Sequence, residues 1–403
     1  MQSIRRSCRT ALFDSSQIAF LANGSRRAFS RSTALHRGAL PVFLQASSPE
    51  LSQLLSTLNS RVLLPHHLTP EQEKLVYKPG NRAKLEQEPI EITLGDVTLP
   101  LEHLDRNKDI PPYKVHLRNI IKASKTPEDW ENVVRALEGY TNAGLRLRPE
   151  QMAMAVRLLN KAGLQHLVLK LVQRGKATGL KLRNFELIVA VLRSARDKAW
   201  QAGWEKEDLK KALSMAEQVV ELMDNEEHLG NPNLIQEDYR THPTVVAVPL
   251  EMAAELAYRH EGDTDKVKRY ALRLMNALKQ KDFLAAYIEK LEASAAKTEA
   301  DYQRPFLQIE AITKLHNDLS ALIPIWNALS TARTVLDTEM PMADDAERVQ
   351  RQLREVLQRG EDALEKLRHR EGKELASTAP DGYLGYVKRA IQACEEDAEE
   401  SED

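Results

Sequence analysis

The sequence predicts an all-α protein whose helices form an α-solenoid of antiparallel pairs, preceded by an extended N-terminal segment. The main observation is a repeat: Gly144 to Arg148 reads Gly-Leu-Arg-Leu-Arg and returns 35 residues later, at Gly179 to Arg183, as Gly-Leu-Lys-Leu-Arg. Aromatic residues make up only 5% of the chain, which favours long polar-faced helices over an enzyme-like α/β sheet. A repeat of this length is one helix–turn–helix unit, and such units bury their apolar faces by stacking on neighbours.

The first 37 residues have the composition of a mitochondrial transit peptide. They contain seven arginines against a single acid, Asp14, with serine and threonine throughout. Apolar side chains that share one helical face opposite the arginines are Ile4, Cys8, Ala11 and Leu12. The stretch Arg27 to Ser30 resembles a matrix-protease site. The sequence therefore predicts a mature start at Ser30, or near Arg37 if a further octapeptide is removed.

Residues 38–112 are predicted to be an extended segment rich in proline and charge. One short helix is expected from Pro49 to Leu58, with Ser48 as its N-cap. Ile90 to Leu94 alternates apolar and polar residues before Gly95, which predicts a small hairpin with Val97 to Leu99. A segment of this kind is expected to clamp onto a partner or onto the solenoid.

Residues 113–223 are predicted to hold the helical repeats. Lys-Ala-Gly at 161–163 resembles the turn between the two helices of a pentatricopeptide repeat, and Gly-Leu-Lys at 179–181 resembles the connection from its second helix to the next repeat. The resemblance covers about two units, 130–198. It implies a scaffold used by organelle proteins that bind RNA or sit on ribosomes. Another two-helix repeat of similar length is the alternative.

The residues at the base-reading positions depart from that family. Its base-reading members carry polar side chains near the fifth residue of the first helix and at the end of the repeat, because hydrogen bonds to base edges distinguish bases. Here those positions fall on Ala153 and Arg183, and the next unit places Ile188 at the first of them. The resemblance therefore implies a backbone-binding surface without a one-base-per-repeat code.

The C-terminal half is predicted to continue as helices after a linker at 224–249, which contains one glycine and three prolines. Residues 250–278 resemble one tetratricopeptide unit, with Gly262-Asp263 at its turn, and open a helical region that extends to 336. Further helices are expected at Leu284 to Ala295, Tyr302 to Leu322 and Ile325 to Leu336. A long helix is predicted at 343–375, either as a coiled-coil-like docking helix or as a terminal cap, followed by a segment at 376–403 with an acidic tail.

Positive charge is concentrated in the repeats. Between Tyr140 and Trp200 there are twelve lysines or arginines against three acids, although the whole chain has a formal net charge of −2. A basic stripe on a repeat scaffold is the electrostatic pattern expected for phosphate contact, while a solvated helix face is the alternative. The predicted RNA or phosphate contacts are Arg146, Arg148, Lys161, Lys170, Arg174, Lys176, Lys181 and Arg183.

No catalytic or cofactor motif is found in the sequence. Glycine-rich phosphate loops, a Gly-x-Ser-x-Gly elbow and a His-Glu-x-x-His helix are all missing, so no enzyme activity and no cofactor are predicted. Two cysteines, one of them Cys8, exclude a disulfide framework and a cysteine-based zinc site. His66-His67 has no ligand partners at suitable spacing, and no metal site is predicted. No apolar run approaches the roughly 18 residues of a membrane span.

Two functions fit these features. The first is mitochondrial gene expression, in which the basic repeat surface binds RNA or the mitochondrial ribosome. The second is a protein-binding scaffold, such as an assembly factor for a respiratory-chain complex, that uses the helical groove and the C-terminal helices. Both place the protein in the mitochondrial matrix, free or peripheral to the inner membrane.

Overall fold

The computed structural model describes residues 38–228, 238–280, 283–371, 373–375, 385 and 387–392. It is predominantly helical, which confirms the predicted all-α solenoid. The helices of the N-terminal half are α1 (Pro49–Thr57), α2 (Pro70–Tyr77), α3 (Arg82–Gln87), α4 (Tyr113–Ala123), α5 (Pro127–Asn142), α6 (Pro149–Lys161), α7 (Gln165–Gln173), α8 (Gly175–Thr178), α9 (Phe185–Gln201) and α10 (Lys206–Leu222). Those of the C-terminal half are α11 (Pro243–His260), α12 (Thr264–Leu278), α13 (Phe283–Ala295), α14 (Pro305–Leu336) and α15 (Ala343–Leu367).

The segment 38–112 contains the helices α1, α2 and α3 besides extended chain, which corrects the prediction that it is extended throughout. Ser48 caps α1 as expected, accepting a hydrogen bond from the Leu51 N–H at 3.2 Å. The helix continues as a π-helix, Leu58–Leu63. Thr69 and Gln72 form a capping box around the start of α2, at Pro70. Pro49 and Pro70 occupy first-turn positions, where the missing N–H has no helical partner to lose, and so they start helices here.

The predicted hairpin is present in this segment. Strands β1 (Glu91–Leu94) and β2 (Val97–Pro100) pair antiparallel, with Leu94 opposite Val97. The chain before α1 runs along the fold as an extended strap, residues 38–48. The Leu40 N–H donates to the Leu94 carbonyl at 3.2 Å, and the Asn132 side chain pairs with both backbone groups of Leu44. The N-terminal segment thus clamps onto its own solenoid.

The repeat block follows the predicted plan. Gly144 and Gly179 both adopt the left-handed conformation, with φ of +72° and +76°, at equivalent turns before α6 and α9. Helix α9 packs against α6, α7, α10 and α11, and the interval 128–198 contains no strand. Helix α7 ends at Gln173, and the chain bends at Arg174 and forms the single turn of α8 before Gly179.

Helix α11 begins inside the segment predicted as a linker. The expected linker was 224–249, but α11 begins at Pro243 and includes Pro249. Every residue of Pro243–Glu255 is buried, against α9, α10, α12 and α14. Burial of this apolar surface outweighs the hydrogen bond lost at an internal proline, which costs about 3 kcal/mol.

A buried polar network joins the repeat block to α11 and α14. The Arg196 guanidinium on α9 donates to both carboxylate oxygens of Glu251 at 2.9 and 2.8 Å. Asn327 on α14 donates to Glu251 and to Glu255 at 2.9 and 3.1 Å. Because the charges are paired and hydrogen-bonded, they can be accommodated in the core. The network therefore fixes how the two halves of the solenoid pack.

Two C-terminal boundaries differ from the sequence prediction. The helices expected on either side of Pro324 form one continuous helix, α14, in which Pro324 is buried. The helix predicted for 343–375 ends at Leu367, and a two-residue pairing of β3 (His369–Arg370) with β4 (Lys373–Glu374) follows. The Gln308 amide donates to the carbonyls of Leu367 and His369, which holds the chain as it leaves the helix.

The predicted transit peptide, residues 1–37, and the acidic run Glu395 to Asp403 lie outside the described residues. Among the residues that are described, no helix is long and apolar enough to span a bilayer. The same residues contain no group of histidine, cysteine and acidic side chains that could hold a metal ion.

Candidate nucleic-acid interface

Two basic turns form the centre of the candidate interface. Turn A is Gly144 to Arg148, between α5 and α6, and turn B is Gly179 to Arg183, between α8 and α9. In both, alternate residues point in opposite directions: the leucines are buried or half-buried, while the basic residues face outward. Arg146, Arg148 and Arg183 are exposed, and Lys181 is half-exposed. The Gly-Leu-basic-Leu-basic pattern therefore anchors each turn and presents its charges to solvent.

Both turns contact Thr141, in the last turn of α5. The Gly144 N–H donates to the Thr141 carbonyl at 3.0 Å. Gly179 approaches the same residue so closely that a Cβ at this position would lie 2.9 Å from the Thr141 hydroxyl oxygen. The two turns thus lie at the same end of α5, and their four basic residues project from neighbouring points on the solenoid.

His228 positions turn B. Its Nδ1 accepts the Leu182 N–H at 3.2 Å, and its carbonyl accepts the Arg183 Nε at 2.9 Å. Burial lowers the pKa of His228, and the charges of Lys181 and Arg183 lower it further, while Glu227 opposes the shift. The neutral imidazole can accept a hydrogen bond at Nδ1, whereas the protonated form cannot. The charges of Lys181 and Arg183 on turn B therefore favour the neutral form of His228, which is the form that accepts the Leu182 N–H.

Two of the predicted contacts are ion-paired to α5. Lys170 lies 2.8 Å from Glu131, and Arg174 lies 2.6 Å from Glu138. Each charge is balanced locally, so these two residues contribute little to a phosphate-binding surface. Lys176, on α8 just before turn B, is exposed. Lys161 is the last residue of α6. It lines a cleft that turns A and B do not line.

The positions that would read bases are part of the core. Ala153 on α6 is 1% exposed and Ile188 on α9 is 0% exposed. Neither side chain reaches the surface or carries a polar group. The buried packing agrees with the expectation that these repeats do not read base edges.

A cleft of about 880 Å³ lies between the repeat helices α6 and α9 and the later helices α13 and α14. Aromatic and apolar side chains share its lining with charged ones, and the aromatic members are Phe185, Trp200 and Tyr287. Its charges are largely balanced, since Arg157 pairs with Glu186 at 3.6 Å and Arg193 with Asp197 at 3.5 Å. This mixed lining suits a polypeptide better than a polyphosphate.

Sequence reasoning missed the residues that support the basic turns. Thr141 and His228 lie outside the repeated Gly-Leu-basic-Leu-basic segments, and neither belongs to the basic residues that mark the candidate interface in the sequence. The contact of His228 with Leu182 spans 46 positions. A motif search cannot find such a contact. The role of Thr141 is easier to find, because a glycine that ends a helix commonly donates its N–H to a carbonyl in the last helical turn, and Thr141 lies three residues before Gly144.

Comparisons with known proteins identify a relationship over most of the chain. Residues 27–383 match the family described as Mrp13, mitochondrial ribosomal protein mS27. A curated relative, small ribosomal subunit protein mS27 of Neurospora crassa, is 27% identical over 268 residues. That alignment covers 64% of this chain and 67% of the relative.

Proposed function

We propose that this chain, which belongs to the mitochondrial ribosomal protein mS27 family, is a non-catalytic component of the small subunit of the mitochondrial ribosome. In this role it contacts RNA through turns A and B. The transit-like composition of residues 1–37 is consistent with action in the matrix.

The arrangement of the two basic turns carries the RNA-binding part of the proposal. Arg146, Arg148 and Lys181 have no carboxylate within ion-pair distance among the residues that the structure describes. The Arg183 guanidinium donates to the backbone carbonyls of His228 and Glu226 and has no carboxylate partner among the described residues. Phosphate contacts of this kind contribute affinity without sequence information. Since Ala153 and Ile188 are buried, the binding is expected to be similar across RNA sequences.

The likeness of 130–198 to pentatricopeptide repeats remains our interpretation. The two helix-pair turns with positive φ at Gly144 and Gly179 support it. The tetratricopeptide-like interpretation of 250–278 is supported by the α11–α12 pair, in which Asp263 caps the second helix. In both cases the repeat supplies the scaffold, and turns A and B supply the proposed RNA contacts.

The cleft supports a second role in holding polypeptide. Within a ribosomal subunit, it would accept a segment of a neighbouring protein. The chain would then act as a protein-binding scaffold, as the second sequence-based hypothesis holds. Its partner would be a ribosomal protein and not a respiratory-chain complex, because family membership favours the ribosome.

A charge-removal experiment tests the proposal. Arg146, Arg148, Lys181 and Arg183 are changed together to glutamine in cells that carry no other copy of the protein, and mitochondrial lysates are sedimented with and without ribonuclease. The wild-type protein should move with the small subunit in a ribonuclease-sensitive way, and the variant should be largely lost from it. Folding should survive because these side chains lie outside the apolar core.

A matched variant controls for lost charge alone. Lys206, Lys210, Lys211 and Lys268 are exposed on α10 and α12, which also carry acids, and changing them to glutamine removes the same net charge. This variant should stay with the subunit. If the turn variant co-sediments as the wild type does, at the same salt resistance, the proposed RNA contact is wrong and the cleft becomes the better candidate.

A further inference from the structure

Helix α4 carries a second basic surface, outside the charged region found in the sequence. Lys114, Arg118 and Lys122 recur every four residues, and we call them the α4 stripe. Four-residue spacing places side chains on one helical face. The opposite face is buried in the core and consists of His116, Leu117, Ile120 and Ile121. The stripe therefore faces solvent from a helix that is anchored on its other side.

The stripe, like Arg146, Arg148 and Lys181 of the two turns, has no carboxylate within ion-pair distance among the described residues. Helix α4 contains no aspartate or glutamate. No described carboxylate lies within ion-pair distance of Lys114, Arg118 or Lys122, whereas Lys170 and Arg174 are each paired to α5. Lys125, just beyond the helix, is also exposed. The positive charge of this surface is thus unbalanced within the described part of the chain.

The stripe is continuous with turn A. The Tyr113 hydroxyl donates to the Arg146 carbonyl at 3.3 Å, and the Tyr140 hydroxyl donates to the Tyr113 carbonyl at 3.1 Å. The Lys114 ammonium lies 5.7 Å from the centre of the Tyr113 ring. Tyr113 therefore joins the first residue of the stripe to turn A in one surface.

The helix is held rigidly in place. His116 Nε2 bonds to the Leu54 carbonyl on α1 at 2.9 Å, and burial lowers the pKa of this imidazole although the Leu54 bond opposes the shift. Leu117 and Ile120 are both 0% exposed. Because the backbone of α4 is fixed, only the side chains of the stripe have to be ordered when an extended polyanion binds.

We propose that the α4 stripe binds the phosphate backbone of RNA and extends the turn A surface along α4. The inference rests on the proposed function but concerns residues outside it. An RNA strand fits the surface better than an acidic protein does, because the stripe exposes little apolar area apart from Val115. Protein interfaces have an apolar or aromatic core, whereas phosphate contacts require only donors and charge.

The test is the salt dependence of RNA binding by the full-length protein. The probe is a fluorescently labelled 20-nucleotide polyuridine, titrated by anisotropy between 50 and 200 mM KCl. Changing Lys114, Arg118 and Lys122 to glutamine removes three contacts, which should reduce the salt slope by about 2 because each single-strand contact contributes about 0.7. The affinity deficit of the variant should then be about 20-fold greater at 50 mM than at 200 mM.

Two further variants separate charge from structure. Lys114→Arg with Arg118→Lys and Lys122→Arg keeps the charge and should keep the wild-type slope. Lys206→Gln with Lys210→Gln and Lys211→Gln removes the same charge from α10, which also carries acids, and should leave the slope unchanged. Far-ultraviolet circular dichroism of every variant should match that of the wild type, since all the changed side chains lie outside the core.

The possible results distinguish this inference from the proposed function. If the stripe variant keeps the wild-type slope while the turn variant loses it, the stripe is only a solvated face and the proposed function stands. If wild-type protein does not bind polyuridine, both fail. If polyglutamate of equal charge competes as strongly as unlabelled polyuridine, the assignment to RNA is overturned.

Discussion

Replacing Arg196 by methionine should destabilise the protein by about 3–5 kcal/mol, because it leaves a buried carboxylate without its cation. The side chains of Arg196 and Glu251 are 1% and 0% exposed, and their closest N–O distance is 2.8 Å. After the substitution, the hydrogen-bond donor that Glu251 keeps among the described residues is the Asn327 amide, at 2.9 Å. One neutral hydrogen bond cannot replace a charged pair at this depth, so the contact of α9 with α11 and α14 should weaken.

Urea unfolding at pH 7, followed by circular dichroism, measures this loss. Arg157→Met is the matched control: its ion pair with Glu186 spans 3.6 Å and both side chains are about half exposed. Such a pair contributes about 0–1 kcal/mol. Adding Glu251→Leu to Arg196→Met should recover part of the loss, since apolar replacement of a buried pair is often near neutral. A loss for Arg196→Met no larger than that of Arg157→Met would refute the reasoning.

Three further predictions concern the turns, the strap and import. Gly144→Ala and Gly179→Ala should each lower the free energy of unfolding by about 1–2 kcal/mol because both glycines have positive φ. The loss should be larger for Gly179→Ala, because the added methyl group would meet Thr141. Equal losses in urea unfolding would contradict this close approach. Burial opposes ionisation of Asp129, but hydrogen bonds from Ser47 and backbone N–H groups outweigh it and lower its pKa to about 2. The pKa of Asp129 is lower in the folded than in the unfolded protein, so the carboxylate should contribute about 2 kcal/mol of stability above pH 4. This contribution should be lost as the pH falls towards 2. The stability of Asp129→Asn should therefore fall less over this pH range. Deleting residues 1–29 should leave the protein in the cytosol on cell fractionation, and undiminished import would show that the matrix signal lies elsewhere.

The repeat turns could be predicted because their cause is local. A glycine that follows an apolar helix commonly takes the left-handed conformation that ends the helix, and both Gly144 and Gly179 do so. The alternating leucines that follow anchor each turn. The helix pair around Gly262 was predictable for the same reason, since the following Asp263 caps the next helix.

The prolines led to the main errors. Pro70 lies in the segment predicted to be extended, although it begins α2, and Pro243 lies in the predicted linker, although it begins α11. Pro324 was expected to separate two helices but lies inside α14. Whether a proline breaks a helix depends on its position and on the burial of its surroundings, and neither can be read from the residue itself.

The candidate site was predicted only in part because charge pairing depends on the fold. Lys170 and Arg174 have the same local sequence character as Arg146, but α5 supplies a carboxylate to each of them from more than thirty residues away. The α4 stripe lies before Tyr140, outside the region in which the sequence concentrates its positive charge. Family membership agrees with the prediction of a mitochondrial, ribosome-associated protein, and RNA binding stays a prediction.

Ultraviolet cross-linking within the assembled small subunit tests the central claim most directly. Mitochondrial small subunits are irradiated and digested with ribonuclease and protease, and peptides of this protein that carry nucleotide adducts are identified by mass spectrometry. Adducts should map to the peptides that contain turns A and B, at residues 144–148 and 179–183. If the protein is present in the subunit but its adducts map only outside both turns, the account of RNA binding is contradicted.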